Sequence, residues 1–182
     1  MLNDSRDRLS VVEYGLLLAR VVALRGTCRR RTVGCVLMDN RNHIVATGYN
    51  GNPAGAPHCI DVPCAGYKDA HGDTRRCMAL HAEYNAVNQA GSHREFITQA
   101  FCTDSPCIDC ARLLRLQLPN LKRIYFVRKY TDEGLDYLNK NGIETIAYEH
   151  FYNNSLDAII LIHERDGVVR DPDGKWRERI PQ

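Results

Sequence analysis

No apolar run of 18 or more residues occurs in the 182-residue chain, so the sequence holds no transmembrane helix of ordinary length. Its first ten residues are polar and charged and lack the apolar stretch of a secretory leader, which makes a cytoplasmic location the expectation. Neither sign of charge is in excess: 24 Lys and Arg face 22 Asp and Glu, a net charge of +2. Such a balance gives no support for a field over the whole molecule that would draw nucleic acid or a membrane surface. A groove for a polynucleotide needs basic residues interleaved with aromatic ones, and no such stripe is evident. Repeats and low-complexity tracts are also missing. What remains is 44% hydrophobic and 25% charged, an ordinary globular composition of a length that suits one domain and a tail.

Apolar periodicity predicts a helix over 11–24, ending near Gly26. Two short β-rich runs, 33–38 and 44–49, flank a polar turn at 39–42. Residues 50–76 then hold four Gly, three Pro and two His with no periodicity. A loop of about 27 residues is long for a compact domain, so it is either functional or pinned by something. Next come a helix over 78–90 with Gly91 to end it, a buried strand over 96–103, and a helix over 107–116 with Pro106 in its first turn. A strand over 121–127, a helix over 132–141 and a strand over 143–148 complete an alternation that predicts a layered α/β domain on a mixed sheet. The domain is expected to span 1–163, with 158–162 as a strand or helical turn and 164–182 as a polar tail or oligomer arm.

Cysteine is where the composition departs from the ordinary. Eight are present, at 28, 35, 59, 64, 77, 102, 107 and 110. In a cytoplasmic chain of this size such a number indicates metal ligands or catalytic thiols before disulfides. Cys35 and Cys102 fall within strand-like runs and read as core residues. Cys107 and Cys110, three apart at a helix start, share one face where unpaired backbone N–H groups favour thiolate. His81 lies at another helix start, with Glu83 two residues on. One imidazole and two thiolates are three of the four ligands that Zn²⁺ takes, the pattern of a catalytic site that keeps a place for water. Zn²⁺ brings the pKa of bound water to around 7, and Glu83 is placed to act as the proton carrier. The bland alternative, a structural Cys-x-x-Cys knuckle beside a coincidental His-Ala-Glu, needs a fourth protein ligand.

His81-Ala82-Glu83 with Pro106-Cys107-Ile108-Asp109-Cys110 is the signature of zinc nucleobase deaminases. From about Thr27 to Tyr148 the chain resembles the cytidine and deoxycytidylate deaminase superfamily, and more narrowly the dCMP deaminases of phages and bacteria. The narrower resemblance rests on Gly48-Tyr49-Asn50-Gly51 and the Pro53 that follows. It implies a cytidine deaminase-like three-layer α/β/α fold with a mixed five-stranded central sheet. It also implies zinc-dependent hydrolysis of dCMP to dUMP, supplying thymidylate synthesis. Glu83 would then be catalytic, with Asn50 on the sugar, Ser105 in the substrate site, and Arg128, Lys129 and Tyr130 near the phosphate. The Asn50-Gly51 pair also fits a plain turn, and both basic runs, 29–31 and 128–129, also fit solvated surface. Departures from the usual pattern are Tyr84 after His-Ala-Glu, Asp104 at a position commonly uncharged, and 117–120 without the usual Gly.

The same resemblance implies a second, structural zinc. Cys28 and Cys59 match two of its ligand positions, while Cys64, His71 and Cys77 compete for the other two. Free cysteines in a mobile loop are the alternative. It further implies a homo-oligomer, often a hexamer, an effector such as dCTP with Mg²⁺ at a second nucleotide site, and host cytoplasm should the gene belong to a phage. Rival readings are a deaminase of 5-substituted dCMP, of a nucleoside or of an RNA base, and a zinc-stabilised interaction module without activity.

Overall fold

The structure is a computed structural model that describes residues 9–69, 76–148, 168–170 and 176–178. Helix α1 (Val11–Ala23) opens on a capping box, in which the Ser10 hydroxyl accepts from the Glu13 N–H and the Glu13 carboxylate accepts from the Ser10 N–H. Strands β1 (Gly34–Asp39) and β2 (Ile44–Tyr49) form a hairpin. Asp39 accepts from the N–H groups of Arg41 and His43 in its turn, and Asn42 takes a φ of 65°. Helix α2 (Ala82–Ala90) ends at Gly91, whose φ of 54° suits glycine. A 3₁₀ segment (Gly91–Phe96) leads into β3 (Ile97–Asp104). Helix α3 (Ile108–Gln117), β4 (Arg123–Arg128), α4 (Asp132–Lys140) and β5 (Glu144–Ala147) complete the layered unit.

The five strands lie in the order β2-β1-β3-β4-β5. β1 is antiparallel to β2 and β3, whereas β3, β4 and β5 run parallel. Residues alternate between the two faces of the sheet. Cys35, Leu37, Ala100, Cys102, Ile124 and Phe126 join one core with Ala82, Ala86 and Val87 of α2, Ala111 and Leu114 of α3 and Leu138 of α4. On the other face Gly15 of α1 meets the Phe101 ring, which stacks on Tyr125 at 5.1 Å between centroids. Cys35 and Cys102 are cross-strand partners with no exposure, as expected of core residues.

Two predicted boundaries differ from those observed. Helix α2 starts four residues later than its periodicity predicts, because Leu80 forms an isolated bridge with Gly51, its N–H and C=O both bonded across at 2.8 and 3.1 Å. Backbone groups claimed by that bridge cannot join the helix. Pro106 lies just outside α3, since Cys107 is extended and takes the N-cap position itself.

A second compact unit spans Glu149–Gln182, beyond the first at Met1–Tyr148. Within it β6 (Val168–Arg170) pairs antiparallel with β7 (Trp176–Glu178). The expected boundary at 163/164 and the run 158–162 lie outside the described residues.

Gly48 brings β2 against the backbone of α2. A Cβ there would stand 2.2 Å from the Ala82 carbonyl oxygen and 2.3 Å from the Ala86 nitrogen. Neither contact can yield without moving the helix. Gly48→Ala should therefore cost about 3 kcal/mol, at the upper end of overpacking penalties. A chemical-denaturation curve checks this, and a midpoint equal to that of the parent would refute the close approach.

Candidate active site and metal centre

His81 and Cys107 are the N-cap residues of α2 and α3, and neither side chain caps its own helix. Instead they turn toward each other. Sγ of Cys107 lies 3.5 Å and Sγ of Cys110 3.3 Å from Nδ1 of His81, and the three donor atoms all fall within 4.8 Å of one another. A tetrahedral Zn²⁺ with bonds of ~2.3 Å to sulfur and ~2.0 Å to nitrogen sets its S and N donors about 3.5 Å apart. The cluster fits that ion in both donor type and spacing. No fourth His, Cys, Asp or Glu among the described residues joins it, so the closed structural knuckle lacks its last ligand.

The two thiols of the cluster ionise unequally. A hydrogen bond from the Cys110 thiol, helped by His81, brings Cys107 down to about 4 against the opposing effect of burial. The same hydrogen bond, together with burial, pushes Cys110 up. The bond to Cys107 raises His81, with burial opposing. Glu83, in the first turn of α2, is only 4% exposed. Burial pushes its carboxyl up to about 7, despite the nearby His81. A carboxyl with that value is suited to both taking and giving a proton near neutrality.

His81, Cys107 and Glu83 open onto a cavity of about 430 Å³. Asn50, Ser105 and Tyr130 line it, as do Arg29, Arg30 and Arg31 from the segment before β1. Asn50 is buried. Its Nδ2 donates to the Arg31 carbonyl at 2.7 Å, and its Oδ1 accepts from the Val33 N–H at 2.8 Å. These bonds use one donor and one acceptor of an amide that offers two of each. The Ser105 hydroxyl accepts from the Tyr130 N–H at 2.8 Å. Arg128 and Lys129 are not in the cavity lining. Arg128 donates to Asp104 at 2.9 Å, and Lys129 pairs with Asp132 at 2.5 Å.

Of the candidates for a second metal, Cys59 and Cys64 bring their sulfurs to 3.7 Å. Burial opposes ionisation of Cys59, but hydrogen bonds from the Cys64 and Arg29 N–H groups and the Cys64 thiol outweigh it and hold the thiol below its usual range. Cys28 and Cys77 line the cavity. No three of these four cysteines converge as the His81 cluster does. His71 lies outside the described residues.

Sequence reasoning missed the ionic bond between Arg31 and Asp104, 2.8 Å long and bridging 73 positions. Its one trace in the sequence was an acid where an uncharged residue is common. Tyr67 and Asp69 also line the cavity, and nothing in the irregular loop marked them out.

Comparison with known proteins agrees with this geometry. A family profile described as the cytidine and deoxycytidylate deaminase zinc-binding region matches residues 10–127. A deoxycytidylate deaminase of Schizosaccharomyces pombe is 34% identical over 134 residues, covering 71% of this chain and 41% of that protein. The chain thus spans about two fifths of that relative's length. A deoxycytidylate deaminase of Mycobacterium phage D29 is 35% identical over 108 residues, covering 56% of this chain and 84% of that one. Among solved structures, the dCMP deaminase of cyanophage S-TIM5 in complex with dCMP and dUMP superposes with a TM-score of 0.62 at 26% identity, covering 77% of this chain and 99% of the other. With its cluster of one histidine and two cysteines, its five-stranded mixed sheet and the family match over residues 10–127, the chain belongs to the cytidine and deoxycytidylate deaminase family.

Proposed function

We propose that the protein hydrolyses dCMP to dUMP and ammonia, a reaction that would supply thymidylate synthesis. The observation that carries this reading is a buried carboxyl, Glu83, and a three-donor cluster whose His81 and Cys107 open onto one cavity that also presents three arginines and two tyrosines. His81, Cys107 and Cys110 would hold Zn²⁺, which supplies a hydroxide equivalent at neutral pH. Glu83 would take the proton released from water and place it on N3 of the cytosine ring. As a bond from the water oxygen to C4 forms, Glu83 would take that oxygen's remaining proton and deliver it to the exocyclic amine, which leaves as ammonia when the C4–N bond breaks. Asn50 would hold the sugar, with Ser105 and Tyr130 against the nucleotide. The dCMP and dUMP bound in the cyanophage enzyme support a mononucleotide. Polynucleotide editing finds less support, since the chain has no overall basic excess. An inactive interaction module would gain nothing from burying Glu83, a costly place for a carboxyl.

The reading includes a second, structural zinc on Cys28, Cys59, Cys64 and either Cys77 or His71. Its support is the Cys59–Cys64 spacing of 3.7 Å, close to the ~3.8 Å edge of a zinc–sulfur tetrahedron. Binding would draw the other ligands toward that pair. A homo-oligomer is also part of it. Val11, Tyr14 and Val21 of α1 are exposed, a surface that a second copy would cover. An effector such as dCTP with Mg²⁺ would need its own site. Residues 48–55 are where to seek it, because Arg29–Arg31 already line the substrate cavity.

Glu83→Gln should retain zinc and lose about 10³-fold or more in kcat on dCMP, the size of a general acid–base contribution. Ammonia release checks the rate and elemental analysis the metal; a variant with near-parental kcat would sink the proposed role. Cys107→Ser should purify without the zinc of this centre and without activity. For the structural metal, Cys59→Ser should lower the zinc content from two per chain to one and depress the melting temperature while the first zinc stays. A parent with a single zinc, or a variant that keeps two, would remove the second site.

A further inference from the structure

Asp104 ends β3 three residues before Cys107 and lines the cavity while almost wholly buried. A carboxylate so placed is stable as a charge only when its oxygens are satisfied. Oδ1 accepts from Arg31 at 2.8 Å. Oδ2 accepts from Arg128 at 2.9 Å and from the Thr103 hydroxyl at 3.1 Å. Asp104 and Arg128 are register partners on β3 and β4, and Arg31 comes from the approach to β1 on the other side of β3. One buried carboxylate therefore ties together three neighbouring segments at the end of the sheet where the metal cluster lies.

The ionic bond has a second effect on Arg31. Its guanidinium lies over the Tyr130 ring, 4.8 Å from the centroid, and both residues line the cavity. A long arginine on a surface loop would otherwise sample many rotamers, at an entropy cost to any ligand it grips. Two guanidiniums alone would also repel each other, and the intervening carboxylate removes that repulsion while the trio keeps one net positive charge. Nε of Arg128 is buried and finds no hydrogen-bond partner among the described residues, while its Nη2 pairs with Asp104, the ionic anchor for that guanidinium as well.

We propose that Asp104 is a positioning residue that holds Arg31 against Tyr130 as a fixed cationic wall, so that the site selects a nucleoside 5′-phosphate over the nucleoside. Guanidinium groups match phosphate oxygens in geometry as well as charge. This inference rests on the dCMP reading above and assigns its selectivity to a residue that touches the substrate only through Arg31.

The experiment compares the parent, Asp104→Asn, Arg31→Lys and the double variant. It measures KM and kcat on dCMP, the inhibition constant of deoxycytidine against dCMP turnover, and melting temperature. Each single variant should raise KM for dCMP about tenfold or more, the scale of one charge-assisted contact, with kcat within about threefold. The deoxycytidine inhibition constant should move by less than about threefold. The double variant should be no worse than the singles, since one interaction is removed in all three. Equal losses for nucleotide and nucleoside, additive effects, or an unshifted KM would overturn the proposal. Should Asp104→Asn fail to fold, Arg31→Lys at the more exposed partner decides alone by the same nucleotide-against-nucleoside comparison. A parent that releases no ammonia from dCMP would overturn the deaminase reading and this inference together, whereas an active parent with unaffected variants would overturn the inference only.

Discussion

Everything at the site depends on two helices beginning side by side at one end of the sheet. His81 and Cys107 are both N-caps, so each stands where the chain turns from extended to helical and where the first N–H groups have no partner within the helix. The positive ends of two helices thereby face the same small volume, which lowers the cost of holding thiolate charge there. Cys110, one turn into α3, completes the cluster without any contribution from the irregular loop. Three donors from two rigid starting points are held more accurately than donors on a flexible segment would be.

Backbone proximity makes that juxtaposition possible. Gly34 leaves room for the backbone of α1 and Gly48 for the backbone of α2, and Gly134 of α4 approaches the carbonyls of Pro106 and Cys107. All three are places where a side chain would wedge an element away from the sheet or from the metal edge. Close packing around these positions transmits displacement with little give. The loop is pinned from the other side. Thr27 accepts from the Ile60 N–H and donates to the Asn50 carbonyl through its backbone, and Arg29 donates twice to the Ile60 carbonyl.

Element types, their order and the meeting of His81 with Cys107 and Cys110 were legible in the sequence because each rests on local information. Periodicity marks a helix, alternating β-rich runs mark strands, and a histidine and two cysteines at helix starts carry their chemistry in their spacing. Two kinds of feature were not legible. The start of α2 depends on Leu80 pairing with Gly51, a contact across 29 positions with no side-chain signal. The trio of Arg31, Asp104 and Arg128 exists only once β1, β3 and β4 are known to be neighbours. The sequence showed three arginines before β1 and two basic residues at the end of β4 without saying which run faces the cavity. The fold divides them: the first run lines it, while Arg128 and Lys129 pair with acids.

The short bridge between Gly51 and Leu80 has a mechanical meaning. Gly51 directly follows Asn50, and Leu80 directly precedes His81, so two peptide hydrogen bonds couple one cavity-lining side chain to the root of another, the imidazole of the cluster. A tug on the asparagine is felt one residue away from the histidine. Asn50 and His81 are thus geared to each other through the main chain, and a displacement of one segment is passed to the other.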